Sequence, residues 1–326
     1  MEPGELLRES LFSRVESTVV TSATLASGDR DFRFMRERLG LKEEGAGARG
    51  PEAGRGASGG DPAPTFAFAD ADVPILEEDP LEALPVTETL LASPFDYVRQ
   101  TRLCIPTDLP GHDTGASFQE ATARVVREVA RITGGGIFVL FTSYRALRTV
   151  AGLLRAEGSD LPWPVFVHGE APRSRLLPGF VDSGRGILLG TASFWEGVDV
   201  PGRPLRGLIL QKLPFRVPTE PITQARMEAI ESRGGNAFRG YLVPLAALRL
   251  KQGFGRLVRS RDDRGGIVLL DSRILTRSYG RVLLRSLPDA PVVRGRWSEV
   301  RSALEDFYGR EGSPESNPAS PPTGSG

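Results

Sequence analysis

The sequence has one cysteine, Cys104, and two histidines, His112 and His168, in 326 residues. A single thiol excludes an internal disulfide and cannot by itself assemble a zinc or iron–sulfur site, which takes about four ligands. No Ser-His-Asp arrangement accompanies the histidines, which read as surface or hydrogen-bonded residues. Long apolar runs are missing too: the longest, such as 186–189 and 266–270, are of strand length, so no transmembrane helix is expected. The start is acidic, with Glu2 and Glu5, where a secretory signal needs a basic and then apolar stretch, and a cytoplasmic location is expected. There is no excess of either charge: Lys+Arg and Asp+Glu are both 41, so any contact with a polyanion must be a local patch.

What is present is an ordinary globular composition, 40% hydrophobic and 25% charged. Residues 42–64 (KEEGAGARGPEAGRGASGGDPAP) are dense in Gly, Ala and Pro without an apolar period, and 68–90 are acidic and contain proline. The stretch 42–92 therefore reads as a flexible insertion, and the Ser/Pro/Gly-rich 309–326 as a disordered tail. No fixed-period repeat appears.

From about 116 to 308 helical and strand patterns alternate. Helix-spaced Phe118, Val125, Val129 and Ile132 predict a helix over 117–132, ended by Gly134–Gly136 before an apolar strand at 137–142. Helices at 144–156, 173–182, 219–231, 241–260, 277–286 and 298–308, and strands at 164–168, 186–190, 206–212 and 266–270, complete the set. Continuous Val/Ile/Leu/Phe strands alternating with helices indicate an α/β fold, a doubly wound parallel sheet with helices on both faces. Ligands of such sheets sit at the carboxyl ends of strands, so the loops after 142, 190 and 270 are the candidate site.

Four segments carry more. Thr21-Ser22-Ala23-Thr24-Leu25 follows the apolar strand Val19-Val20. Phe138–Tyr144 (FVLFTSY) is a strand ending in Ser143 and Tyr144. Gly190-Thr-Ala-Ser193-Phe-Trp195-Glu196-Gly197-Val-Asp199-Val-Pro201-Gly202 runs from a buried strand into glycines bracketing an acid and an aromatic. That pattern lets backbone approach a phosphate and places a carboxylate for a ribose hydroxyl. Gln252-Gly-Phe-Gly255-Arg256-Leu-Val-Arg259-Ser260 spaces Gln252, Arg256 and Arg259 to share one face of a helix, where two guanidiniums suit a triphosphate. By charge alone the basic run 249–264 is an ordinary solvated helix face.

In order and spacing these segments resemble motifs III, IV, V and VI of the DinG/XPD family of superfamily 2 DNA helicases. Ser93-Pro94-Phe95-Asp96-Tyr97 with Gln100, Leu269–Arg273 and Tyr279-Gly280 resemble family segments of weaker specificity. The resemblance implies a RecA-like helicase C-terminal motor domain at 93–308, with 1–41 as the remnant end of a first motor domain. It implies catalytic roles for Arg256, Arg259 and Gln252, nucleotide contacts from Gly197, Asp199 and Glu196, and DNA contacts from Ser143, Tyr144 and Ser193. Ser22 and Thr24 would couple the two. The implied partners are single-stranded DNA, ATP with Mg2+, and a first motor domain. Such an ATPase wraps phosphates in a loop ending Gly-Lys-Ser/Thr and holds magnesium on an Asp-Glu-Ala-His strand end. Neither occurs in this sequence, so the chain is expected to be inactive alone, as a natural fragment, late start or split gene. An iron–sulfur cluster is not supported in this chain. The alternative is a non-catalytic RecA-like module that binds DNA or a partner without turnover.

Overall fold

The structure, a computed structural model, describes residues 3–22, 25–26, 32–41, 86–156, 161–191, 205–258 and 260–309. Most of the expected insertion, 42–85, and the expected tail from 310 lie outside them. The chain divides into a unit of 1–20 with 35–89 and a unit of 21–34 with 90–326.

The smaller unit contains helix α1 (Pro3–Ser10), a 3-10 turn at Phe12–Arg14 and most of α2 (Arg33–Leu39). The strand expected at Val19-Val20 is not formed. Residues 17–22 carry no regular structure and Val19 is 88% exposed, because no strand among the described residues pairs with them.

The larger unit is a seven-stranded, wholly parallel sheet in the order β3-β4-β2-β5-β6-β1-β7. Its strands are β1 (Thr101–Pro106), β2 (Ile137–Leu140), β3 (Val165–Val167), β4 (Ile187–Gly190), β5 (Gly207–Leu210), β6 (Gly265–Leu269) and β7 (Val292–Gly295). The helices after the short α3 (Tyr97–Gln100) are α4 (Ala116–Thr133), α5 (Tyr144–Arg155), α6 (Arg173–Ser183), α7 (Pro221–Glu231), α8 (Val243–Phe254), α9 (Arg273–Thr276), α10 (Tyr279–Arg285) and α11 (Trp297–Gly309).

Side chains alternate along each strand, and both faces are apolar. Leu103, Ile105, Phe138, Leu140, Leu208 and Leu210 join α6, α8 and α10 in one core, while Cys104, Ile137, Val139 and Ile209 join α4, α5 and α11 in the other. This two-sided burial is why the strands read as continuous apolar runs rather than alternating ones. It also makes Cys104 inert: burial, opposed only weakly by Arg102, pushes its thiol up to about 12.

Gly134, Gly135 and Gly136 all have positive φ, so the expected glycine stop of α4 is formed. A side chain at Gly135 would collide with the Arg185 carbonyl, which fixes the entry into β2. The α11 helix is keyed to α4 by Trp297, whose Nε1–H donates to Glu128 at 2.8 Å and whose N–H donates to Asp108 at 2.7 Å. Strands β1 and β7 were not among the expected elements. β1 opens with Thr-Arg and ends in proline. β7 is a half-exposed edge strand ending Arg294-Gly295, so neither shows a long apolar run. Among the described residues no helix is long and apolar enough to cross a membrane.

Leu188 is fully buried whereas Val98 is 55% exposed. Leu188→Ala should lower unfolding free energy by about 2–5 kcal/mol in a urea titration. Val98→Ala should change it by about 0.5 kcal/mol or less. Equal effects would contradict this division of core and surface.

Candidate functional site

The carboxyl ends of β2, β3 and β4 bring polar side chains together. β2 runs through buried Phe141 to Ser143, the N-cap of α5, whose Oγ accepts from the Ala146 N–H at 3.2 Å. That cap occupies one lone pair of Ser143 and leaves its hydroxyl proton able to donate outward. Tyr144, 46% exposed, crosses to the end of β3, where its Oη lies 3.0 Å from His168 Nε2. His168 Nδ1 in turn lies 2.8 Å from Thr191 Oγ1 at the end of β4. Burial, aided by Arg173, holds the His168 pKa below its ordinary value, so the ring is neutral at pH 7. A tautomer with Nδ1–H donating to Thr191 and Nε2 accepting from Tyr144 satisfies both bonds. It leaves the Thr191 hydroxyl proton unspent on the histidine. Below this row, Arg155 at the end of α5 donates to both Glu170 carboxylate oxygens, at 2.6 and 2.8 Å, and holds the turn after His168.

At the neighbouring ends of β5 and β6 the controlling group is Asp271, fully buried. Its carboxylate accepts from the Leu213 N–H at 3.0 Å, the Arg273 N–H at 3.1 Å and the Arg273 guanidinium at 2.6 Å. Burial opposes the charge, but these donors outweigh it and hold the Asp271 pKa below the ordinary carboxylate value. With both oxygens taken, Asp271 is not a magnesium ligand in this arrangement. Among the described residues no cluster of three His, Cys, Asp or Glu could hold a metal ion. Buried Gln211, just after β5, donates to Gln119 Oε1 at 2.6 Å.

The arginine-bearing segment departs from expectation. The helix expected over 241–260 is a π-helical turn at Phe238–Leu242 followed by α8, which ends at Phe254. Gly253 and Gly255 weaken the last turn, and 255–257 tighten into bonds such as Arg256 N–H to the Gly253 carbonyl at 3.2 Å. Gln252 therefore stands on the final turn of α8 and Arg256 on the turn beyond it, not on one continuous helix face. The segment is nevertheless pinned. Gln100, 5% exposed, donates through Nε2 to the carbonyls of Ser260 and Asp263, each at 2.8 Å, and of Arg261 at 3.1 Å.

Of the expected site residues, the structure brings Ser143 and Tyr144 together at one edge and places Gln252 and Arg256 at the end of α8. Ser22 is exposed, in the unit that contains the sheet. Arg259, Ser193, Glu196, Gly197, Asp199 and Thr24 lie outside the described residues. Sequence reasoning missed the linking role of His168, although a His-Gly pair directly after an apolar strand was a usable signal. It quoted Gln100 and the Asp271–Arg273 segment without finding the bonds that make them matter.

A wholly parallel sheet with helices on both faces and polar groups gathered at its carboxyl edge gives a doubly wound α/β domain of the RecA-like kind. The helicase C-terminal domain family model matches residues 126–290, and the chain belongs to that family. The ATP-dependent DNA helicase YoaA of Escherichia coli K12 is 43% identical over 212 residues, 65% of this chain and 33% of that protein. The ATP-dependent helicase DinG of Mycobacterium tuberculosis H37Rv is 38% identical over 287 residues, 87% of this chain and 36% of the relative. The 3'-5' exonuclease DinG of Bacillus subtilis 168 is 35% identical over 306 residues, 93% and 28% of the two chains. This chain thus spans about a third of the length of these curated relatives. A solved apo XPD structure is similar with a TM-score of 0.45 at 15% identity, over 60% of this chain and 40% of that one.

Two outcomes follow from this geometry. Because Asp271 is held below its ordinary pKa, its stabilisation is present above about pH 4 and is lost as pH falls through the depressed value. Asp271→Asn should therefore destabilise at neutral pH by about 3–5 kcal/mol and flatten the acid limb of stability against pH. An unchanged limb would contradict the assignment. Gln100→Ala should speed amide exchange at 260–263 while leaving β4 protected; exchange unchanged at both would show that Gln100 does not hold the loop.

Proposed function

We propose that the chain works as the second motor half of an ATP-dependent DNA helicase, supplying arginines to ATP hydrolysis and part of the single-stranded DNA track. The observation that carries this reading is the row of hydroxyl and imidazole groups, Ser143, Tyr144, His168 and Thr191, at the carboxyl edge beside the α5 N-terminus. Hydroxyl donors and a helix N-terminus attract phosphate oxygens without reading bases. Neutral overall charge keeps the binding modest, with an affinity that falls as salt rises.

In this reading ATP sits in a cleft completed by a first motor domain that carries the Gly-Lys-Thr and Asp-Glu-Ala-His segments. That domain holds Mg2+ and the β,γ-phosphates. Arg256 and Arg259 approach the γ-phosphate and stabilise the charge that develops as it leaves, with Gln252 beside them. Gly197 and Asp199, with Glu196, contact the nucleotide, and Ser193 extends the DNA track. Ser22 and Thr24 couple the two halves. Gln100 assists by fixing the backbone just after Arg259.

The chain alone should turn over no ATP above background, with or without single-stranded DNA. Mixed with a matching first motor half it should gain DNA-stimulated turnover. In that mixture Arg259→Ala should lower the rate by about 10³–10⁵ while DNA binding stays near wild type. Arg261→Ala, an exposed position just after it, should stay within a few-fold. Turnover by the purified chain alone, or an Arg259→Ala rate close to wild type, would defeat the proposal.

A further inference from the structure

Beyond the phosphate-facing row, three aromatic rings gather from segments that follow β5 and β6: Phe215 and Tyr279 pack partly against the core beneath them, and Phe238 stands half-exposed beside them. Phe215 stacks on Phe238 with ring centroids 5.7 Å apart and planes 27° from parallel. Tyr279 closes the group edge-on, 5.2 Å from Phe215 and 5.4 Å from Phe238. Phe238 is 39% exposed, and Val217 and Ile222 nearby in sequence are 57% and 68% exposed.

The cluster is built rather than incidental. The loop that presents Phe215 is tied down by the Leu213 N–H on Asp271, and Arg273, clamped by the same carboxylate, lies beside the Tyr279 phenol. Phe238 opens a five-residue π-helical turn, Phe238–Leu242, while Tyr241 and Leu242 of that turn are buried. Such turns are rare and occur frequently at functional sites. Cationic residues flank the rings along the chain: exposed Arg239 next to Phe238, Arg277 two residues before Tyr279, and Arg216 next to Phe215, which pairs with Glu220 at 3.4 Å.

We propose that Phe215, Phe238 and Tyr279 form a platform on which an unpaired base of single-stranded nucleic acid stacks. The inference rests on the DNA-binding reading above and adds a base contact to it. Charge complementarity favours a polyanion over an apolar protein helix. The platform also continues the phosphate-facing edge, since β5 is hydrogen-bonded to β2, whose end carries Ser143. Stacking on an aromatic face needs no base identity, so sequence preference stays weak.

The test is fluorescence anisotropy at low salt with the full chain, a labelled oligothymidylate and an abasic strand of the same length. The wild type should bind the base-bearing strand more tightly. Phe238→Ala should weaken that strand by about 5- to 100-fold and leave the abasic strand unchanged, with Phe238→Trp retaining the preference. Equal affinity of the wild type for both strands, as expected of a protein-docking face, overturns the platform while leaving DNA binding intact. Equal weakening of both strands by Phe238→Ala overturns it too, because the ring would then be only structural. Binding of neither strand by the wild type overturns the DNA-binding reading itself.

Discussion

The carboxylate of Asp271, fully buried at the end of β6, accepts hydrogen bonds from the Leu213 N–H and from the backbone and guanidinium of Arg273. A buried charge persists only where donors replace the water it has lost, and here they come from the ends of two adjacent strands. One ion pair therefore fixes the loop after β5, the start of α9 and, through Arg273, the approach to Tyr279. The carboxyl edge is rigid on that side. On the other side the neutral chain Tyr144–His168–Thr191 holds the ends of β2, β3 and β4 in register.

The two halves of the edge differ in chemistry because their strands end differently. β2 continues to Ser143, exposed and spent partly on capping α5, and β4 runs into Thr191, whose buried hydroxyl meets His168. β5 runs instead into Gln211, Lys212 and Leu213, and its continuation carries Phe215. In the proposed function, a strand of nucleic acid crossing this edge would meet donors at one end and ring faces at the other. The backbone beyond the end of α8 is steadied by the carbonyls of Ser260, Arg261 and Asp263 gathered on Gln100.

Much of this was legible from residues alone. The apolar runs at 137–142, 186–190 and 266–270 became β2, β4 and β6 because burial on both faces removes any need for polar alternation. The triple glycine after α4 stopped it as expected. Edge strand β7 escaped because half-exposed positions and Arg294 blur its pattern, and β1 because Arg102 and Pro106 leave it only a three-residue apolar run. The continuous helix expected through Arg259 failed for a local reason. Heptad-like spacing carries no information about a π turn at one end or about two glycines that loosen the other. The family resemblance placed Ser143 and Tyr144 at the edge, but tertiary pairings such as Gln100 with 260–263 leave no periodic trace in the sequence.

The central claim is that the carboxyl edge of the sheet faces nucleic acid. Amide exchange of the full chain with and without oligothymidylate tests it most directly. Slowed exchange at 142–145, 168–170 and 191, with no change around 134–136 and 184–186 at the opposite edge, is the predicted result. Protection confined to the opposite edge, or to the outer faces of α4 and α11, would contradict it.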